Sequence, residues 1–309
     1  MRIFFASSDN IALEVLRKVA DHYDVIGVLT APDKSSGRSF SSRVNKIKIE
    51  AVKRNITVLD PLVLDIDVIE EIKKLKPDLM LVFSYGKIFR QEFLDIFPMG
   101  SINIHPSLLP KYRGPSPIQT AILNGDNVSG ITVQKMDLGM DSGNILSQNQ
   151  FEIKSFNTSA DLFSYVSLNS FHLVVEALEE IKKGNLGIVQ DSSQATYCSF
   201  FSKQYRVLDF NLSAFEIKNR INACNPWPLA RAKLGKDEII FHRADFLLAD
   251  DYSDQAIGKI IAFDPNRGLL VKTGNGILLL LELQRTGRNI LDYRSFYNGS
   301  RDLIGQIFY

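Results

Sequence analysis

Short apolar runs alternate with helical periodicity as far as Lys183, and this alternation constrains the fold more than any other feature. Arg2–Ala6, Val25–Leu29 and Leu79–Phe83 are compact apolar runs of strand length, and Ser101–Ile104 and Gly130–Lys135 continue the series. Behind the caps offered by Ser8, Asp9 and Asn10, the apolar residues Ile11, Leu13, Val15, Leu16 and Val19 recur at helical spacing. Ile69–Leu75 reads as a further helix before Pro77, and Ala160–Lys183 as a long one stopped by Gly184. Strands that alternate with helices require both sheet faces to be covered. This predicts an α/β domain over residues 1–189, built on a Rossmann-like, mostly parallel sheet.

After Gly184 the texture changes. Gln190–Lys203 is rich in Ser, Gln and Thr, which predicts a linker over residues 190–205. Leu212–Cys224 carries a helical pattern. Four strand-like runs follow, at Ile239–His242, Ile257–Phe263, Leu269–Thr273 and Ile277–Leu283, separated by Gly235, Asp264-Pro265-Asn266 and Gly274-Asn275-Gly276. Short strands at this spacing predict a small β-barrel over residues 206–309. A chain of 309 residues, 45% of them hydrophobic, is long enough to bury two such cores.

A net charge of +1 gives no global attraction toward polyanions, so any such site must be a local patch. Cys198 and Cys224 are the only cysteines and lack Cys/His companions, so no metal is expected and a reducing cytoplasm is. The first apolar run is too short for a secretory signal and is followed by Glu14, Arg17 and Lys18. No run approaches the roughly 18 apolar residues that suggest a membrane span. The turn after the first strand, Ala6-Ser7-Ser8-Asp9-Asn10, lacks the Gly-x-Gly-x-x-Gly that admits a pyrophosphate, which argues against a dinucleotide.

Two segments carry chemistry. In Asn103-Ile104-His105-Pro106-Ser107-Leu108-Leu109-Pro110, the period of a strand places Asn103 and His105 on one face, near the carboxyl end where open sheets bind ligands. A carboxamide can donate to a developing oxyanion, and an imidazole can move a proton near neutral pH. In Met136-Asp137-Leu138-Gly139-Met140-Asp141-Ser142-Gly143, two glycines permit a sharp loop that could aim carboxylates into a cleft. Taken singly, each segment equally fits a plain role: a histidine bonded to backbone at a strand end, and an Asp-Gly turn.

Taken together, the two segments resemble the folate-dependent formyltransferase superfamily, in which an Asn-x-His-Pro-Ser-Leu-Leu-Pro run precedes an Asp-x-Gly-x-Asp-x-Gly loop. The resemblance implies that Asn103 and His105 stabilise an oxyanion, while Asp141 orients and charges His105 and assists proton removal. It also implies 10-formyltetrahydrofolate as donor. The expected contacts to that donor are Phe83, Ser84, Tyr85, Gly86 and Ile88 after one strand, the Ser107-Leu108-Leu109-Pro110 exit of another, and Asp137 and Gly139.

Three further segments resemble the members that act on methionyl-tRNA: Thr30-Ala31-Pro32-Asp33-Lys34-Ser35-Ser36-Gly37-Arg38, Asn225-Pro226-Trp227-Pro228, and Leu283-Gln284-Arg285-Thr286-Gly287-Arg288. They imply an enzyme that accepts initiator methionyl-tRNA; a monomer is expected. Lys34, Arg38, Arg43, Lys46, Lys48 and Arg288 would meet its phosphates, and the C-terminal barrel would be OB-like and tRNA-binding. The chain departs from the family at Phe5-Ala6-Ser7-Ser8-Asp9, where Phe-Ala-Gly-Thr-Pro is usual, and at Asn45-Lys46-Ile47-Lys48, where Ser-Pro-Val-Lys is usual. An amino-sugar formyltransferase, a hydrolase of the same donor and a folate- or RNA-binding regulator are the competing readings.

Overall fold

A computed structural model describes residues 1–33, 45–248, 252–300 and 302–309. Backbone proximity divides it into two compact units: residues 1–115, 129–151 and 163–198, and residues 116–128, 152–162 and 199–309. Among the described residues, no helix is long and apolar enough to cross a membrane.

The first unit is built on a seven-stranded sheet of β1 (Arg2–Ala6), β2 (Asp24–Leu29), β3 (Thr57–Leu59), β4 (Leu79–Val82), β5 (Ser101–His105), β6 (Val128–Lys135) and β7 (Ile145–Glu152), ordered β3-β2-β1-β4-β5-β6-β7. All pairings from β3 to β5 are parallel, and β6 runs antiparallel to β5. The helices in chain order are α1 (Leu13–His22), α2 (Lys46–Lys53), α3 (Ile66–Lys74), α4 (Gln91–Leu94), α5 (Pro117–Leu123), α6 (Ser159–Lys182), α7 (Ala214–Cys224) and α8 (Tyr293–Asn298). The Rossmann-like sheet expected from the sequence is present. The chain proceeds outward from β1 to β2 and β3 and then returns to place β4 on the other side of β1. The carboxyl ends of β1 and β4 therefore flank a switch point.

Apolar strands explain this core. Phe4, Leu29, Ile72, Met80, Phe93 and Phe97 are buried in one cluster. Asp65 starts α3 by accepting from the Val68 amide, and Asn45 starts α2 by accepting from the Lys48 amide while its Nδ2 donates to Thr30 Oγ1 and Ala31 O. Asn45 thus supplies the helix start where the family's usual Ser-Pro is missing. Two strands of this sheet went unread in the sequence because they give little apolar signal. β3 has only three residues and is partly exposed, and β7 is a sheet-edge strand reading Ile-Leu-Ser-Gln-Asn-Gln-Phe-Glu.

In the second unit, a reciprocal capping box of Ser213 and Glu216 opens α7. An antiparallel sheet follows, formed by β8 (Ala230–Leu234), β9 (Asp237–Leu247), β10 (Ile260–Asp264), β11 (Gly268–Lys272) and β12 (Ile277–Arg285) in the order β10-β11-β12-β9-β8, with β13 (Ile290–Asp292) on β12. The last residues of the chain join its two edges. Tyr309 exchanges backbone hydrogen bonds with Lys233 on β8, the Phe308 amide donates to Gly258 O, and the Ile260 amide on β10 donates to Gln306 O. Phe308 anchors this closure between the rings of Phe210 and Phe241, at 5.5 and 5.3 Å. The sheet is closed as a barrel closes, without an exposed edge at this seam.

Candidate active site

β5 delivers Asn103 and His105 to its carboxyl end, and both side chains turn to the same partner. Asn103 Nδ2 donates to Asp141 Oδ1 at 3.4 Å, and His105 Nδ1 stands 3.6 Å from Asp141 Oδ2. On the far side of the ring, His105 Nε2 lies 2.8 Å from the carbonyl oxygen of Tyr112. A carbonyl only accepts, so Nε2 carries the proton of the neutral ring and Nδ1 is the position left to take one up. That position faces the carboxylate, in a site where His105 is only 4% exposed.

Asp141 is held from several directions. Its Oδ2 accepts from the Gly114 amide at 2.8 Å, and its Oδ1 accepts from Gln134 Nε2 at 3.0 Å. Asp141 itself adopts φ +50°, in the left-handed region that an aspartate enters at a cost. The two glycines of the loop have steric reasons. A Cβ at Gly143 would strike the carbonyl oxygen of Lys135, and one at Gly139 would strike Ser142 Oγ. Asp137 does not join the trio; it ties the loop to itself by accepting from the Gly139 amide and from Ser142 Oγ, both at 2.9 Å.

Beside this loop lies a cavity of about 830 Å³ lined by α4, the start of β5 and the Met136–Gly139 stretch. Ser101 is among its lining residues, although its Oγ is buried away from the surface and has no hydrogen-bond partner among the described residues. The donor contacts expected from the sequence divide here. Asp137 and Gly139 line the cavity. Ser84, Gly86 and Ile88 are exposed on the loop after β4, whereas Phe83 and Tyr85 face the core. Ser107, Leu108, Leu109 and Pro110 form a tight turn against β6 and β7, in which Thr132 Oγ1 donates to Ser107 O and Gln148 Nε2 donates to Leu109 O.

The chain matches the formyl transferase family over residues 2–178 and the formyl transferase C-terminal domain over residues 201–301. It belongs to the formyltransferase family. It is 79% identical to the methionyl-tRNA formyltransferase of Borrelia turicatae (strain 91E135) over 308 residues, covering all of both chains. The methionyl-tRNA formyltransferase of Borrelia hermsii is also 79% identical, again over the full length of both chains. The sugar 3N-formyltransferase WlaRD has the same fold at a TM-score of 0.63 and 20% identity, over 94% of this chain and 99% of that one.

Among the basic residues expected to meet tRNA, Lys34, Arg38 and Arg43 lie outside the described residues. Lys46 is exposed at the start of α2. Lys48 is already paired, with Asp60 at 2.7 Å and Asp33 at 3.0 Å, and these two carboxylates hold its ammonium above the usual lysine range. Arg288 is exposed in the turn between β12 and β13. Asn225 of the Asn-Pro-Trp-Pro segment is structural: its Nδ2 donates to His242 O, and its carbonyl accepts from Ser159 Oγ. Trp227 remains 41% exposed.

Sequence reasoning missed Gln134, Gln190 and the Gly114 amide. Gln190 fell within the expected linker, yet it is buried with five polar atoms within hydrogen-bond distance, three of them sharing the two hydrogens of its NH₂. Its Oε1 accepts from Arg113 Nε and Nη2, and its Nε2 faces Asp141 O, Gly143 O and Gln134 Oε1. The only signal was a single amide in a polar stretch, indistinguishable there from a solvated one.

Proposed function

We propose that this chain transfers the formyl group of 10-formyltetrahydrofolate to the amino group of initiator methionyl-tRNA. Full-length identity of 79% to a methionyl-tRNA formyltransferase carries this reading, and the meeting of Asn103, His105 and Asp141 at the end of β5 supplies its chemistry.

Attack of a neutral amine on the formyl carbon puts negative charge on the formyl oxygen and positive charge on the nitrogen. Asn103 meets Asp141 through a long 3.4 Å bond, so its carboxamide is weakly committed and can turn a donor toward that oxygen. His105, protonated at Nδ1 next to the Asp141 carboxylate, supplies the second stabilising group. Asp141 offsets the imidazolium charge and takes part in removing the ammonium proton; collapse of the oxyanion then breaks the bond from the formyl carbon to the donor nitrogen, which leaves with the electron pair, takes up a proton and releases tetrahydrofolate. The donor's heterocycle is assigned to the cavity beside Met136–Gly139. Asp137 and Gly139 line that cavity, and in this reading the loop from Phe83 to Ile88 and the Ser107–Pro110 turn supply further contacts to the donor.

The unit that includes residues 206–309 is assigned to the tRNA, with Lys34, Arg38, Arg43, Lys46 and Arg288 meeting phosphates. The enzyme acts as a cytoplasmic monomer. The test is formyl transfer with initiator methionyl-tRNA, elongator methionyl-tRNA and an amino sugar as parallel acceptors. Transfer to the initiator, reduced about 10²–10³-fold in Asn103→Ala, is expected. Transfer to the sugar instead would overturn the acceptor, and near-normal rates in Asn103→Ala would overturn the trio.

A further inference from the structure

The Asp141 carboxylate can act on His105 only from the position in which it is held, and that position is not one the backbone prefers. Its φ of +50° places an L-residue in the left-handed region, and neither Ser142 nor Met140 is a glycine that could relieve it. The loop must therefore be held by something outside itself. Two neutral amides do this. Gln190 Nε2 lies 2.9 Å from the Asp141 carbonyl and 2.7 Å from the Gly143 carbonyl, bracketing the left-handed residue on both sides. Gln134 Nε2 donates to Asp141 Oδ1 at 3.0 Å. The two are linked, because Gln190 Nε2 is 3.2 Å from Gln134 Oε1. Gln190 is in turn fixed by the buried Arg113, whose Nε and Nη2 both donate to Oε1, at 3.1 and 2.8 Å.

We propose that Gln134 and Gln190 are positioning residues for formyl transfer, which set the carboxylate of Asp141 against His105 through one continuous amide relay from Arg113. The inference rests on the proposed roles of Asp141 and His105 and extends them to side chains that touch neither substrate. An amide suits the task because it accepts and donates at once. Oε1 of Gln190 satisfies a guanidinium while its NH₂ grips carbonyls, and Gln134 receives from Gln190 while giving to the carboxylate. A carboxylate at either position would keep the acceptor and lose the donor.

This chemistry separates positioning from packing. In Gln190→Glu the pair with Arg113 is kept, now as an ion pair, whereas the donors to Asp141 O, Gly143 O and Gln134 are gone. Gln134→Leu keeps the volume and removes both the donor to the carboxylate and the acceptor that faces Gln190 Nε2. Each variant is expected to melt within a few degrees of the wild type and to keep KM for donor and tRNA within about threefold. Each should lose roughly 10–100-fold in kcat, the scale of a misplaced reacting group. The deciding measurement is the double variant Gln134→Leu/Asp141→Asn. If Gln134 acts only through Asp141, the double variant is no slower than Asp141→Asn alone. An independent further loss, or an unchanged kcat in both single variants, overturns the relay. A wild-type enzyme that formylates no methionyl-tRNA would overturn the functional reading itself, and that failure is visible before any variant is made.

Discussion

Lys218 is a cation that the fold has buried, and replacing it should make the protein more stable. The residue lies on α7, 4% exposed, beside a pocket of about 120 Å³ lined in part by Phe215, Asn219 and Phe246. Among the described residues, the only hydrogen bond of its ammonium runs 3.4 Å to Asn219 Oδ1, long enough to return little of the lost hydration. Burial pushes its ammonium below the usual lysine range, and the charge of Asp245 offsets this only in part. Methionine has nearly the same length and volume, fills the same channel and carries no charge, so Lys218→Met avoids both a cavity and overpacking. Exchanging a poorly compensated buried charge for a well-packed apolar group gains about 1–2 kcal/mol, which raises Tm by roughly 2–8 °C. The pH dependence has a definite sign. Between the lowered pKa of the folded state and the ordinary 10.5 of the unfolded chain, the unfolded state binds more protons, so wild-type stability rises with pH in that window. The advantage of Lys218→Met should therefore shrink as pH approaches 10.5. Thermal melts of both proteins from pH 7 to 10 measure it. A methionine variant less stable than wild type at pH 7, or a difference that does not move with pH, would refute the reasoning and show that the ammonium has a strong partner.

Two other outcomes follow from side chains at known positions. Cys224 is fully buried, and burial pushes its thiol up to about 12, so it should resist alkylation at pH 8 in the native protein and react at once in denaturant. Charge removal should distinguish two of the three described cations singled out for tRNA, Lys46 being the third. Arg288→Ala raises KM for tRNA and lowers the salt slope by about 1, whereas Lys48→Ala, losing a lysine already paired with Asp60 and Asp33, changes both little.

The parts that were legible in the sequence share a physical reason. β1, β2 and β4 are interior strands, so burial wrote apolar runs into them, whereas β5 reads Ser-Ile-Asn-Ile-His and was legible by its period of two. β3 and β7 are at the edges and carry no such run. α5 is a short helix of seven residues opening with Pro117, too brief for its period to emerge. The closure of the second sheet by Gln306–Tyr309 was not legible either, because backbone pairing to two edges leaves no composition signal. At Lys48 the charge in space differs from the charge in sequence. No acid stands between Lys34 and Lys48 in sequence, but Asp33 and Asp60 reach Lys48 in space.

The candidate site divides in the same way, and the division explains why its motif has the form it has. Asn103 and His105 were legible because a strand's period fixes their relation without help from the rest of the fold. Asp141 was legible only as a motif position, since nothing local dictates that a residue before Ser142 should turn left-handed. The loop's glycines make that turn possible: Gly143 lets the chain pass the Lys135 carbonyl, and Gly139 clears Ser142. They do not make it stable, because a glycine permits many conformations and selects none. Selection comes from Gln134, one strand register from β5, and from Gln190, distant in the chain. A loop that must be permissive enough to bring a carboxylate beside an imidazole, yet rigid enough to keep it there, needs glycines within it and donors from outside. The motif shows the glycines; the fold supplies the donors.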